Sequence, residues 1–143
     1  VKKLSSKHIC LLLYVAVLGL IACYTNIRSD TYKPTYEDAR HATVDAWEKI
    51  IGPITTSCYN FTKETSITEV DIFPSSCKAP PSKRVIGCYF TKNNSIIILN
   101  TLTIYEKADV AVHEFIHGIS FCMTGYTDIK HENIKFWDEF GQD

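Results

Sequence analysis

His113-Glu114-Phe115-Ile116-His117 is the stretch on which the reading of this chain turns. On an α-helix, residues four apart stand one above the other on a single face, so His113 and His117 can aim two imidazole nitrogens at one metal ion. Glu114 then lies beside the ion without binding it. From there its carboxylate can take a proton from a water whose acidity the metal has raised and hand it to a leaving amine. The pentapeptide therefore predicts a zinc site equipped for amide hydrolysis, with Glu114 as general base and then general acid.

The flanks carry the helix. Ala108, Ala111, Val112, Phe115, Ile116 and Ile119 recur at i, i+3, i+4, i+7, i+8 and i+11, which marks one apolar face, and both histidines border it. Thr103 and Glu106 have the spacing of a capping box, so the helix is expected from about residue 104 to 122. Upstream, Ala39, Ala42, Thr43, Ala46, Trp47 and Ile50 keep helical spacing between Tyr36 and Ile51, and Gly52-Pro53 ends that run. His41 falls in this helix and reads as a surface residue.

Between the two helices the pattern changes to strands. Residues 67–73 alternate, 85–91 are rich in strand formers, and 95–99 form a short apolar run, with Asn93-Asn94 suited to a tight turn between the last two. The expected fold class is α+β: a short sheet or hairpin packed on the helix that bears the pentapeptide, followed by a further helix over about 132–140.

Residues 1–22 read as an export signal. Lys2, Lys3 and Lys7 make a basic start, and Ile9 to Ala22 contain no charge. As a helix that stretch spans only about 21 Å, short of the roughly 30 Å of a bilayer's hydrocarbon core. It ends in Leu20-Ile21-Ala22-Cys23, which resembles the lipobox of bacterial lipoproteins. The resemblance implies cleavage before Cys23, a lipid on that cysteine, and export to the bacterial cell membrane or outer membrane, facing the periplasm or the exterior. Residues 23–35 then read as a tether and 36–143 as one domain, long enough to bury its own core. Three of the chain's 15 basic residues leave with the signal and none of its 16 acidic ones, so the domain is acidic and nothing in it suggests nucleic-acid binding.

With Cys10 in the signal and Cys23 assigned to lipid, Cys58, Cys77, Cys88 and Cys122 remain. An even number in an exported domain predicts two disulfides. Three pairings are possible, and Cys77–Cys88 with Cys58–Cys122 is preferred. No two of the four stand in a C-x-x-C arrangement, which argues against a cysteine metal site.

A catalytic zinc takes three protein ligands and keeps one position open, so a third ligand must follow His117. Ser120 and Met123 stand where metzincins carry glycine and histidine, which excludes that class. Gly125 breaks the helix, and the chain can then return His131 to the metal. His131 is favoured, with Asp128 as the rival ligand or as a partner that orients an imidazole. The pentapeptide with Asp128, His131 and Phe136-Trp137 resembles the SprT-like minimal zincins over about residues 105–137. That resemblance implies zinc ligation by His113, His117 and His131 and hydrolysis of peptide bonds. Gly125-Tyr126-Thr127-Asp128 partly resembles the corresponding element of aspzincins, which use an aspartate, but the threonine falls one place late. Tyr126 is a candidate for stabilising the oxyanion.

The expected function is thus a lipid-anchored zinc metallopeptidase acting on a protein or peptide substrate. A second reading is a non-catalytic lipoprotein that keeps the scaffold and binds a partner, such as an exclusion, immunity or envelope-assembly factor. A third is a zinc amidase acting on peptidoglycan peptides.

Overall fold

The structure, a computed structural model, describes residues 32–77, 84–127, 131 and 137. Contacts divide the chain after Lys33, and all the described helices and strands lie in the unit that begins at Pro34. The signal, Cys23 and most of the tether lie outside the described residues.

The order of elements is α1 (Tyr36–Ile50), α2 (Thr56–Lys63), β1 (Ser66–Val70), β2 (Gly87–Phe90), β3 (Ser95–Leu99) and α3 (Ile104–Thr124). The fold is α+β, as the alternation of patterns predicts. Both long helices begin in a full capping box. Thr35 and Asp38 start α1, while Thr103 and Glu106 start α3, each hydroxyl accepting from the third-residue N–H and each carboxylate accepting from the cap N–H. Of the helix expected over 132–140, only Trp137 is described, and it is helical.

The short helix α2 has no clear signal in the sequence. Thr-Ser-Cys-Tyr-Asn-Phe-Thr-Lys has low helix propensity, and it is held from outside: the Thr55 hydroxyl accepts from the Cys58 N–H, and Cys58 is bonded to Cys122 of α3. Cys77 is bonded to Cys88 of β2. The preferred pairing is therefore the one the fold contains. The bond between Cys58 and Cys122 spans 64 residues of sequence, which by chain entropy corresponds to about 4 kcal/mol. We expect the Cys58→Ser, Cys122→Ser double variant to lose about that much unfolding free energy in urea, with α2 the first segment to exchange its amide protons.

The sheet order is β1-β3-β2. β3 lies in the middle, parallel to β1 and antiparallel to β2, and four of its five residues are buried. Its side chains Ile96 and Ile98 turn toward α3, where they pack with Ala39, Val110, Ala111 and Phe115. A second cluster joins Val44 and Trp47 of α1 to Ile116 and Ile119 of α3 and to Trp137. The order of these contacts shows that α1 runs alongside α3 in the same direction. The helical bundle thus covers one face of the sheet, and α3 is packed from both sides. Among the described residues, no helix is long and apolar enough to cross a membrane.

Candidate metal centre

α3 places His113 and His117 one turn apart with ring centroids 5.0 Å from each other. The helix ends at Gly125, whose left-handed backbone (φ 76°) suits a residue without a side chain, and its N–H donates to the Phe121 carbonyl at 2.7 Å. The chain is then stitched back to the helix it has left. Ser120 Oγ donates to the Tyr126 carbonyl at 2.6 Å, and His117 Nδ1 meets the Thr127 carbonyl at 2.7 Å. This return brings in His131, itself left-handed (φ 57°), so that its ring lies 4.9 Å from His113 and 5.2 Å from His117.

One ligand atom from each of the three histidines lies within 4.8 Å of the others, so the trio can hold one metal ion. The details favour that use. A carbonyl can only accept, so the bond to Thr127 requires a proton on His117 Nδ1 and leaves the Nε2 lone pair free of it. Nε2 of His117 faces Nε2 of His131 at 3.4 Å. Two imidazole nitrogens held at 2.0–2.1 Å by one tetrahedral ion stand about 3.3–3.4 Å apart, so this pair already has the spacing of a shared ion. Without an ion, a ring that takes up a proton can donate it to the other across the same gap.

Trp137 roofs the cluster. Its ring is buried, stacks on His131 at 3.9 Å, and lies 4.8 Å from His113 and 5.1 Å from His117. Exclusion of water has an electrostatic consequence: burial, then the neighbouring imidazoles His117 and His131, push His113 down to about 3 from its ordinary 6.5. His113 is therefore neutral at physiological pH, the state in which imidazole binds metal.

Glu114 is 6% exposed and lies against the strand β2. A Cβ at Gly87 would fall 2.6 Å from Glu114 Oε1 and would collide with Val110 Cγ1, so only glycine lets the strand cross the helix here. One turn on, Gly118 leaves room for the Tyr89 ring, which would lie 3.2 Å from an added Cβ. The Tyr89 hydroxyl donates to Asn94 Oδ1 at 3.1 Å in the turn after β2. Gly87, Gly118 and Tyr89 belong to no motif and were not expected at the site, although a glycine inside a strand pattern is a readable sign of close backbone approach.

Burial pushes Glu114 up to about 8, against a smaller opposing pull from the Tyr89 backbone N–H. Between the ordinary carboxylate value and about 8, the metal-free fold therefore holds a proton that the unfolded chain has lost, and it loses stability as pH rises through that window. His113 acts in the opposite sense, since its contribution is present above 6.5 and is lost as pH falls toward 3. Above pH 6.5 His113 no longer opposes the slope of Glu114. Metal-stripped protein is expected to lose on the order of 1–2 kcal/mol between pH 6.5 and 8 in urea titrations, and Glu114→Gln to flatten that slope. An equal slope in the variant would assign it to another group.

The remaining candidates lie apart or outside. His41 is half exposed on α1 and pairs with Glu37. Tyr126 is 59% exposed, and its backbone carbonyl accepts from the Ser120 and Thr124 hydroxyls of α3. Asp128 lies outside the described residues. Compared with protein-family models, with curated proteins and with solved structures, the chain matches none.

Proposed function

We propose that this chain is a zinc-dependent peptidase of the zincin type, held at the bacterial envelope by a lipid on Cys23. The observation that carries this reading is the convergence of three imidazoles on one point, two of them at ligand spacing, with a buried carboxylate on the same helix. His113, His117 and His131 would hold the ion, and the donor set of three nitrogens suits zinc with one position left open. When bound, zinc supplies a Lewis acid that acidifies water and polarises a carbonyl.

The protein's own groups do the rest. Glu114 accepts the proton of the attacking water and returns it to the departing amine, a role that requires the nearby cation to hold it as a carboxylate against the burial that raises it in the metal-free fold. The Thr127 carbonyl keeps His117 in the tautomer that binds through Nε2. Trp137 stacks on His131 and fixes its plane. Strand β2 supplies a rail for the substrate. The Leu99 N–H donates to the Ile86 carbonyl, so by alternation Gly87 and Tyr89 turn their backbone groups away from β3, on the side where the Tyr89 N–H meets Glu114 and where an extended peptide would pair with Gly87 beside the carboxylate.

The test is chelation of the purified full chain. Turnover of a peptide mixture should vanish with the metal and return with stoichiometric zinc. A folded protein that neither contains zinc nor takes it up would remove this reading. One observation favours the partner-binding alternative: the Glu114 carboxylate is packed against Gly87, so it also serves the contact between β2 and α3. In that case zinc is structural and Glu114 is dispensable for the biological effect.

A further inference from the structure

Of the seven exposed large apolar side chains among the described residues, four gather in one place, while Tyr32, Ile51 and Tyr126 stand apart from that group in sequence. Ile72 is 86% exposed, and Ile86, Ile104 and Tyr105 are between 41% and 50% exposed. All four lie at one end of the sheet. β1 and β3 end there side by side, with the Asn100 N–H donating to the Val70 carbonyl, and Ile72 stands two residues after Val70. Ile86 is paired to Leu99 at the same end because β2 runs the other way. The chain then turns directly into α3, so Ile104 and Tyr105 in its first turn complete the group.

The start of the domain is also here. The hydroxyl of Tyr36, the first residue of α1, donates to Glu69 Oε1 at 2.7 Å, and Lys107 of α3 pairs with the other oxygen of Glu69. The chain therefore reaches the domain at the end that bears the four apolar side chains. The segment before it runs from Cys23 to Thr35 and can extend at most roughly 45 Å.

We infer that this end of the domain, with Ile72, Ile86, Ile104 and Tyr105, rests on the lipid bilayer that carries the anchor. The inference rests on the proposed attachment at Cys23. Isolated isoleucines on a surface need no explanation, but four large apolar groups at the tethered end are delivered to the interface by the tether itself. A tyrosine beside isoleucines suits the headgroup boundary, with the ring in the apolar region and the hydroxyl in water. At this end Glu69 is ion-paired with Lys107, and the Asp71 carboxylate accepts from the Asn100 amide at 3.1 Å. The orientation fixes the height of the metal centre. His113 and His117 stand 9 and 13 residues along α3 from Ile104, about 14–20 Å from the lipid at 1.5 Å per residue if the helix stands upright. The site then serves membrane-proximal protein segments.

The experiment uses the full chain reconstituted in phosphatidylcholine–phosphatidylglycerol vesicles with brominated acyl chains, which quench tryptophan on contact. Ile72→Trp and Ile104→Trp probe the lipid-facing end, and Ile51→Trp probes an exposed isoleucine at the far end of α1. The first two should lose at least about half of their added fluorescence, with Ile51→Trp and the parent unchanged. If the chain floats with the vesicles and Ile72→Trp and Ile104→Trp are quenched no more than Ile51→Trp, the anchor stands and the seating is overturned. If the chain does not float, the anchor reading falls and the seating falls with it.

Discussion

Exchanging Glu114 for glutamine is expected to lower peptide turnover by about 10²–10⁴-fold, the usual contribution of a positioned acid–base group, while the zinc content stays at one per chain. The amide has the size of the carboxyl group and can accept from the Tyr89 N–H, so the crossing of β2 over α3 at Gly87 is kept. What it cannot do is take a proton from water. Burial already favours the uncharged form of Glu114, so glutamine should preserve or raise the stability of the metal-free protein, and loss of turnover cannot then be ascribed to unfolding. Turnover and metal content measured on the same preparation decide the matter. Undiminished turnover would end the acid–base role of Glu114. A biological effect that survives the substitution in a chain without turnover would favour the partner-binding reading.

The second large effect is loss of the metal on removal of His131. We choose His131→Asn because the residue is left-handed, a backbone state that asparagine accepts more readily than alanine, so the variant reports the lost imidazole rather than added strain. The remaining pair, His113 and His117, are neighbours on one helix and present only two nitrogens. Zinc affinity should fall by more than the roughly 10–100-fold that accompanies loss of an outer-shell partner, and dialysis should leave the variant empty. Trp137 loses its stacking partner at the same time, so its fluorescence should change even before metal is added. Retention of zinc at parental affinity would show that His131 is not a ligand, and Asp128→Asn would then be the variant to compare.

Much of the scaffold was legible because its causes are local. The capping box at Thr103 and Glu106, the apolar stripe from Ala108 to Ile119, and the stop at Gly52-Pro53 act within a few residues, and the helices begin and end close to where those signals stand. The turn at Asn93-Asn94 is equally local, with Asn94 left-handed between two paired strands. The helix α2 was not legible, because its stability comes from a cap and a disulfide rather than from its own residues. The placement of β3 between β1 and β2 was not legible either, since alternation says which residues face a core but not which strand is the neighbour.

The sequence by itself determined the two long helices, the strand-forming runs and the presence of two histidines and a glutamate at helical spacing, since these arise from periodicity and from side-chain chemistry at short range. Only the tertiary structure decided which cysteines meet, that Gly87 makes room for Glu114, that Thr127 sets the tautomer of His117, and that His131 arrives 3.4 Å from it beneath Trp137. Each of these joins residues from different elements or from opposite sides of a turn. Their distances are set by how the chain folds back on α3 and how the sheet packs against it, and spacing along the sequence does not encode that.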